Sequence, residues 1–333
     1  MEQEIRFCVT EDGVRIAYAT TGKGTPIVRP GHWGSHLEYD LRSPIWGHLI
    51  EGLSEQHQLV RYDPRGTGMS ERNVDAVSPE LWLKDIEAVV NDLNLQRFAL
   101  IGISQGVSTA VRYAVTHPDK VTHLILYGGY AVGRLHRESE GHYSPEMLEA
   151  MCTLILEGWG SDNESYRELF ASLYVPSANR EVIGFLNNVE KVSATPEMAA
   201  KYLRAIADID LRSLLPQVKV PTLVLHCRGD RATPFNYGRE LASGIAGAKF
   251  VPMEGENHLF LEDESAQKTF FEEVPRFLGD KPRFIRKGVL KRQMRGFHGA
   301  TQRLHHVIEP YYMVVAVASA VIGVISFIVT KVM

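Results

Sequence analysis

Short apolar runs alternate with helical patterns over most of the first 280 residues. Residues 44–55, 79–94, 105–117, 236–246 and 263–278 carry the helical periodicity, with apolar positions three or four residues apart. The apolar runs that predict strands are 5–10, 14–20, 26–29, 58–62, 97–101, 123–127, 222–226 and 249–252. Because short apolar strands alternate with helices, the pattern predicts an α/β fold with a mostly parallel sheet covered on both faces.

Residues 133–212 break this alternation, since they carry helical segments and no convincing strand pattern. The sequence therefore predicts a helical cap at 133–212, inserted between two parts of an α/β core at 1–132 and 213–280. Four aromatic residues in this region suit either an apolar pocket lining or the interior of the cap itself: Trp159, Phe170, Tyr174 and Phe185.

The last fifty residues have a different composition. Residues 312–330 are apolar and uncharged, and at 1.5 Å per residue a helix of this length spans roughly 28 Å, close to the thickness of a bilayer's hydrocarbon core. The stretch 281–333 contains nine Lys and Arg residues and one acid, Glu309. The pattern predicts a transmembrane helix at 312–330 after a basic amphipathic segment at 281–311 that lies on anionic lipid. The positive-inside bias predicts a single-pass C-terminal membrane anchor with the folded body in the cytoplasm.

Charge and cysteine content narrow the function classes. Residues 1–280 contain 27 basic and 39 acidic residues, and this negative balance argues against nucleic acid as a partner. The three cysteines, Cys8, Cys152 and Cys227, lie far apart, so they indicate neither a disulfide framework nor a metal-binding CxxC pair. Their spacing favours a reducing compartment. The N-terminus has no apolar stretch of the kind that marks a signal peptide.

Ser104 lies between Gly102 and Gly106, where a predicted strand gives way to a predicted helix. A nucleophile on such a turn has strained backbone and needs small neighbours, and the following helix directs its N–H groups toward developing negative charge. The motif alone is weak, because a serine in a glycine-rich turn also serves as a helix N-cap. The first interpretation predicts a nucleophile and the second a purely structural residue.

A nucleophilic serine needs a base and an acid that orients the base. In this type of sheet the order along the chain is serine, acid, histidine. His258 follows the predicted strand 249–252, and Asp230 follows the predicted strand 222–226. Asp208 and Asp210 are the alternative acids, but they precede a strand and lie at the predicted junction of cap and core. The sequence therefore favours Asp230 as the acid and His258 as the base.

With these residues in place, the chain from about residue 5 to residue 278 resembles the α/β-hydrolase family. The matching motifs are GISQG at 102–106, DPRGTGMS at 63–70, PTLVLHCRGDRATP at 221–234 and GENHLF at 255–260. The resemblance implies a serine hydrolase with Ser104 as nucleophile, Gly102 and Gly106 in the nucleophile elbow, and the backbone N–H groups of His32 and Gln105 as the oxyanion hole. It also suggests that Arg65 braces the oxyanion loop. The stretch PGHWGSHLEYDL and the motif at 63–70 are similar, less specifically, to hydrolase modules attached to bacterial adenylate cyclases and transcriptional regulators.

Taken together, these features predict a membrane-anchored hydrolase that cleaves an ester, thioester or related acyl bond, with no metal and no organic cofactor. The expected partners are a small acyl substrate and membrane lipid along residues 281–330; nucleic acid is not expected, and a homodimer is left open. Two alternatives share the same residues. One is a ligand-binding sensor on the hydrolase scaffold, and the other is a cofactor-free haloperoxidase-like or perhydrolase activity.

Overall fold

An eight-stranded sheet forms the centre of the computed structural model, which describes residues 2–138 and 142–280. The strands are β1 (Glu4–Val9), β2 (Arg15–Thr21), β3 (Thr25–Arg29), β4 (His57–Tyr62), β5 (Phe98–Ile103), β6 (Val121–Tyr127), β7 (Thr222–Cys227) and β8 (Lys249–Met253). Their order is β1-β2-β4-β3-β5-β6-β7-β8, and every pair from β4 to β8 is parallel. Only β2 runs against the other strands, because it pairs antiparallel with both β1 and β4.

Helices cover both faces of this sheet. Outside the cap they are α1 (Leu37–Arg42), α2 (Gly47–Ser54), α3 (Pro79–Asp92), α4 (Gly106–Thr116), α9 (Phe235–Ser243) and α10 (Ser265–Leu278). Adjacent residues of β5 point to opposite faces, so Leu100 joins one apolar cluster and Ile101 joins the other. All six residues of β5 and all six of β7 are buried, which explains their mostly apolar sequences.

Four helices form the insertion between β6 and β7: α5 (Pro145–Gly158), α6 (Glu164–Tyr174), α7 (Arg180–Ser193) and α8 (Pro196–Ala207). Each begins at a side chain that accepts a hydrogen bond from the first turn: Ser144, Asn163, Asn179 and Thr195. In the described part of this insertion the only extended pairing is an isolated bridge between Val132 and Asp210, at the base of the cap.

The predicted mostly parallel sheet with a helical insertion is confirmed, and each predicted strand lies within two residues of an observed one. Helix α1 was not predicted, because six residues give too short a pattern to recognise. The basic segment predicted at 281–311 and the membrane helix predicted at 312–330 lie outside the described residues. Within residues 2–138 and 142–280, none of the helices combines the length and apolar character needed to cross a bilayer.

Candidate active site

Ser104 occupies the two-residue turn between β5 and α4 with a backbone φ of +53°, a region that L-residues seldom adopt. The turn is fixed by a hydrogen bond of 2.9 Å from the Ser104 N–H to the Tyr127 carbonyl. Gly102 has no room for a side chain, because a Cβ there would lie 2.8 Å from the Cα of Val107. A Cβ on Gly106 would make only ordinary contacts of 3.5 Å. The steric requirement for glycine therefore applies to Gly102 and not to Gly106.

The structure brings Ser104, His258 and Asp230 together in one hydrogen-bonded row. The Oγ of Ser104 lies 2.8 Å from Nε2 of His258, and Oδ2 of Asp230 lies 2.7 Å from Nδ1. The Asp230 carboxylate can only accept a hydrogen bond, so Nδ1 carries the hydrogen and donates it, and Nε2 is left to accept from the serine hydroxyl. Both His258 and Asp230 are buried. This is the arrangement in which a serine can be deprotonated as it attacks.

Asp230 is held by its own loop. Its Oδ1 accepts a hydrogen bond of 2.8 Å from the Thr233 N–H, which leaves Oδ2 directed at His258. The alternative acids lie elsewhere: Asp208 contacts His136 at 2.9 Å, and Asp210 contacts Arg212 at 2.6 Å. The structure thus brings only one of the three candidate acids to the histidine.

The main chain of His258 is held from two sides. Its carbonyl accepts a hydrogen bond of 2.6 Å from the Tyr127 hydroxyl, at the end of β6. Its N–H donates to the carbonyl of Tyr174, the last residue of α6 in the cap, at 2.9 Å. The sequence had indicated Tyr174 as an aromatic residue of either the pocket lining or the cap interior, and not as a partner of His258. Because the bond uses a backbone carbonyl, no residue type in the sequence could have signalled it.

The backbone N–H groups of His32 and Gln105 form no hydrogen bond among the described residues. The neighbouring N–H of Trp33 does, since it donates to Oε1 of Gln105 at 3.0 Å. That bond ties the loop after β3 to the start of α4. The two free N–H groups are the ones that the sequence assigned to an oxyanion hole, and this role stays a prediction.

The His32 side chain belongs to a buried hydrogen-bond network with Arg29 and Asp40 that was not predicted from the sequence. Arg29 donates to Nδ1 of His32 at 3.2 Å and to Asp40 at 3.1 Å. Because arginine can only donate, the proton of His32 must be on Nε2. Burial, together with the charges of Arg29 and Arg61, holds the pKa of His32 well below its usual value, so the ring is neutral.

Arg65 does not brace the oxyanion loop, contrary to the sequence-based expectation. Its guanidinium pairs with Asp12 at 2.7 Å and Asp85 at 2.8 Å on the other side of its loop. The bracing residue is Asp63, whose carboxylate accepts from the Ser35 hydroxyl at 2.6 Å and from the Leu37 N–H at 3.1 Å. A buried aspartate at the start of DPRGTGMS is the signal that could have identified it.

A cavity of about 150 Å³ opens over Ser104 and His258 between core and cap. Its lining is mostly apolar and includes the four aromatic residues singled out in the sequence: Trp159, Phe170, Tyr174 and Phe185. Trp33, from the loop after β3, packs against Trp159 with ring centroids 5.0 Å apart. Apolar cavities with a few polar groups are typical of small-molecule sites.

Neither a metal-binding cluster nor an exposed thiol accompanies the Ser104 row in the described residues. Residues 2–138 and 142–280 contain no cluster of three or more His, Cys, Asp or Glu side chains that could hold a metal ion. The cysteines at positions 8, 152 and 227 are buried and free. Burial raises the pKa of the Cys227 thiol to about 12, which makes it a poor nucleophile.

Comparison with known proteins points to one family. A family model for the alpha/beta hydrolase fold matches residues 30–265. The AB hydrolase superfamily protein YisY of Bacillus subtilis (strain 168) is 28% identical over 256 residues, which cover 76% of this chain and 91% of that protein. A pimeloyl-(acyl-carrier protein) methyl ester esterase of Nitrosomonas europaea is 27% identical over 240 residues, covering 71% of this chain and 89% of the esterase. The solved structure of the esterase EaEST from Exiguobacterium antarcticum is similar with a TM-score of 0.68 and 25% identity, covering 82% of this chain and 99% of that one.

Proposed function

Because this chain belongs to the α/β-hydrolase family of enzymes, we propose that it is a serine hydrolase that cleaves an ester, thioester or related acyl bond. The observation that carries the proposal is the row formed by Ser104, His258 and Asp230, with contacts of 2.8 and 2.7 Å. The esterase function of two of the relatives described above supports the same reaction class. The apolar cavity beside Ser104 suits a small acyl substrate.

In the proposed mechanism, His258 takes the Ser104 proton at Nε2 as Oγ attacks the carbonyl carbon. The backbone N–H groups of His32 and Gln105 hold the oxyanion, an interaction typically worth about 3–4 kcal/mol per donor. His258 then gives its proton to the leaving alcohol or thiol, which produces the acyl-enzyme. A water molecule that loses a proton to His258 attacks the acyl group, and the proton returns to Ser104 as the acid product leaves.

We further propose that residues 312–330 anchor the enzyme in a membrane and that the basic segment 281–311 lies on anionic lipid, with the catalytic domain in the cytoplasm. The support is in the sequence: an uncharged apolar stretch of about nineteen residues long enough for a bilayer, and eight basic residues before Glu309. These residues lie outside those that the structure describes.

The decisive experiment is covalent labelling with a fluorophosphonate, which reacts with an activated serine. We expect the protein to be labelled and to hydrolyse simple aryl esters, and Ser104→Ala to lose both properties while keeping its unfolding temperature. A folded protein that resists the probe, hydrolyses no ester and yet binds a small ligand would contradict the proposal. That outcome would favour the alternative of a sensor on the hydrolase scaffold.

A further inference from the structure

Two arginines line the cavity above Ser104 and play no part in the mechanism proposed above. Arg134 and Arg137 lie in the segment that leads from β6 to the cap, close to the loop that carries Asp230. Arg134 donates to the carbonyl of Ala232 at 2.8 Å. Arg137 is only 3% exposed. Arginines are seldom buried to this extent unless a negative partner compensates the lost hydration.

Arg137 has no such partner among the described residues. Its Nε donates to the Val132 carbonyl at 3.4 Å, but Nη1 has no hydrogen-bond partner and no described carboxylate forms an ion pair with this guanidinium. The guanidinium lies over the rings of Tyr237 and Tyr130, at 4.2 and 5.2 Å from their centroids. These cation–π contacts hold the side chain in place and leave part of its donor capacity unused.

Tyr130 adds a second unused donor next to Arg137, and the part of the cavity wall formed by these two residues is called the corner below. Its ring is one of the two beneath Arg137, it is buried, and its hydroxyl has no hydrogen-bond partner in residues 2–138 and 142–280. Burial raises the pKa of Tyr130 to about 12, so the phenol keeps its proton at neutral pH and can donate it in a hydrogen bond. The cavity wall at these two residues therefore offers a guanidinium N–H and a phenol O–H.

Glu190, the only acid among the described residues lining the cavity, does not neutralise this corner. It accepts a hydrogen bond from the Gly160 N–H at 3.3 Å. Its pKa is raised by burial and lowered by that N–H, with no contribution from Arg134 or Arg137. The one described acid of the cavity lining therefore forms no ion pair with Arg137.

We propose that Arg137 and Tyr130 bind a carboxylate of the substrate, so that the preferred substrates are esters or thioesters that carry a free carboxylate, such as monoesters of dicarboxylic acids. The inference rests on the proposed hydrolase function, which it makes more specific. A carboxylate accepts from a guanidinium and from a phenol at once, and would supply the negative partner that Arg137 lacks. The apolar walls between this corner and Ser104 suit the methylene chain that separates the two ends of such a molecule.

The test compares matched pairs of esters that differ only in charge: the monomethyl and dimethyl esters of glutarate, adipate and pimelate. For the wild type we expect kcat/KM to be higher for the monoester by about 10-fold or more at the best chain length. Arg137→Met should lower kcat/KM for the monoester by about 10- to 100-fold and change it for the diester by less than about threefold. Arg137→Lys should retain part of the preference, and Tyr130→Phe should lose a smaller part.

The ratio of kcat/KM for the monoester to kcat/KM for the diester separates substrate binding from a structural role, because a damaged fold would lower kcat/KM for both esters equally. If Arg137→Met fails to fold, the wild type alone still decides: glutarate, adipate or pimelate should inhibit hydrolysis of the diester competitively, whereas the matching neutral diamides should not. Hydrolysis of diesters with no preference for monoesters and no inhibition by dicarboxylates would overturn the inference and leave the proposed function standing.

If instead no ester is hydrolysed and Ser104 resists fluorophosphonate, the proposed function fails, and the inference is judged by binding. Calorimetric titration of the full chain with the dicarboxylate of best length should then show binding that Arg137→Met weakens by about 10-fold or more. No measurable binding to the wild type would overturn the carboxylate site as well.

Discussion

Replacing Asp230 with asparagine should lower kcat by about 10⁴-fold and leave the fold intact. The side chain keeps its size, and its carbonyl oxygen can still accept the 2.8 Å hydrogen bond from the Thr233 N–H. The amide nitrogen then occupies the position of Oδ2, 2.7 Å from Nδ1 of His258. Two donors cannot share that contact, so the imidazole proton moves to Nε2.

A proton on Nε2 removes the acceptor that Ser104 needs. The 2.8 Å contact between Oγ and Nε2 then has the histidine as donor, and the hydroxyl cannot lose its proton to it. The negative charge that stabilises the imidazolium during attack is lost as well. A loss of about 10⁴-fold corresponds to about 5.5 kcal/mol of activation free energy.

The assay is the rate of fluorophosphonate labelling together with kcat for an aryl ester, with Asp208→Asn and Asp210→Asn as matched controls. Asp208 contacts His136, and Asp210 contacts Arg212, in exposed or half-exposed ion pairs worth about 1 kcal/mol or less. Both control variants should therefore stay within about fivefold of the wild type. A loss at either control as large as that at Asp230, or a loss below about 10-fold for Asp230→Asn, would refute the assignment.

Three further changes test other features of the chain. Gly102→Ala should destabilise the protein by about 3 kcal/mol because the new Cβ has no space, whereas Gly106→Ala should change the free energy of unfolding by less than about 1 kcal/mol. Urea unfolding compares the two variants, and equal effects would contradict the steric argument. Burial raises the pKa of Glu190 from 4.5 to about 7, so as pH rises the unfolded chain loses this proton before the folded protein does. The free energy of unfolding of the wild type should therefore fall, relative to that of Glu190→Gln, by up to about 3 kcal/mol between about pH 4.5 and pH 7. Parallel unfolding curves for the two proteins at pH 5 and pH 8 would show that this carboxyl is not held neutral. Removing residues 310–333 should release a fluorophosphonate-reactive hydrolase from the membrane, with at most salt-sensitive membrane binding left. A truncated protein that stays on the membrane in high salt would refute the proposal of a single membrane anchor.

The sequence predicted the sheet well because its strands are short, apolar and separated by helices. In β5 and β7 every residue is buried, and both strands therefore have mostly apolar sequences. The turn that carries Ser104 was also predictable, because Gly102 and Gly106 flank the serine where a strand gives way to a helix, although only Gly102 is sterically required. Asp230 and His258 could be selected because each follows a strand in the order that a parallel sheet requires.

Long-range contacts between polar side chains could not be predicted from the sequence. Nothing in the sequence separates the partners of Arg65, which are Asp12 and Asp85, from the oxyanion loop that it was expected to brace. The pairing of Arg29 with His32 and Asp40 likewise depends on how a loop folds over the end of β3. Hydropathy patterns report which residues are buried, but the choice of partner among buried polar residues is made by tertiary geometry.

The contact between Tyr174 and His258 gives the cap a role beyond forming the walls of the cavity. The 2.9 Å hydrogen bond from the His258 N–H to the Tyr174 carbonyl crosses from core to cap, and the Asn257 side chain adds a second link by accepting from the Ser177 N–H at 3.1 Å. A movement that lifted the end of α6 would have to break both bonds. It would then release the loop that holds the His258 imidazole against Ser104. The bond at Tyr174 uses main-chain atoms only, so a side-chain substitution at position 174 leaves its donor and acceptor in place.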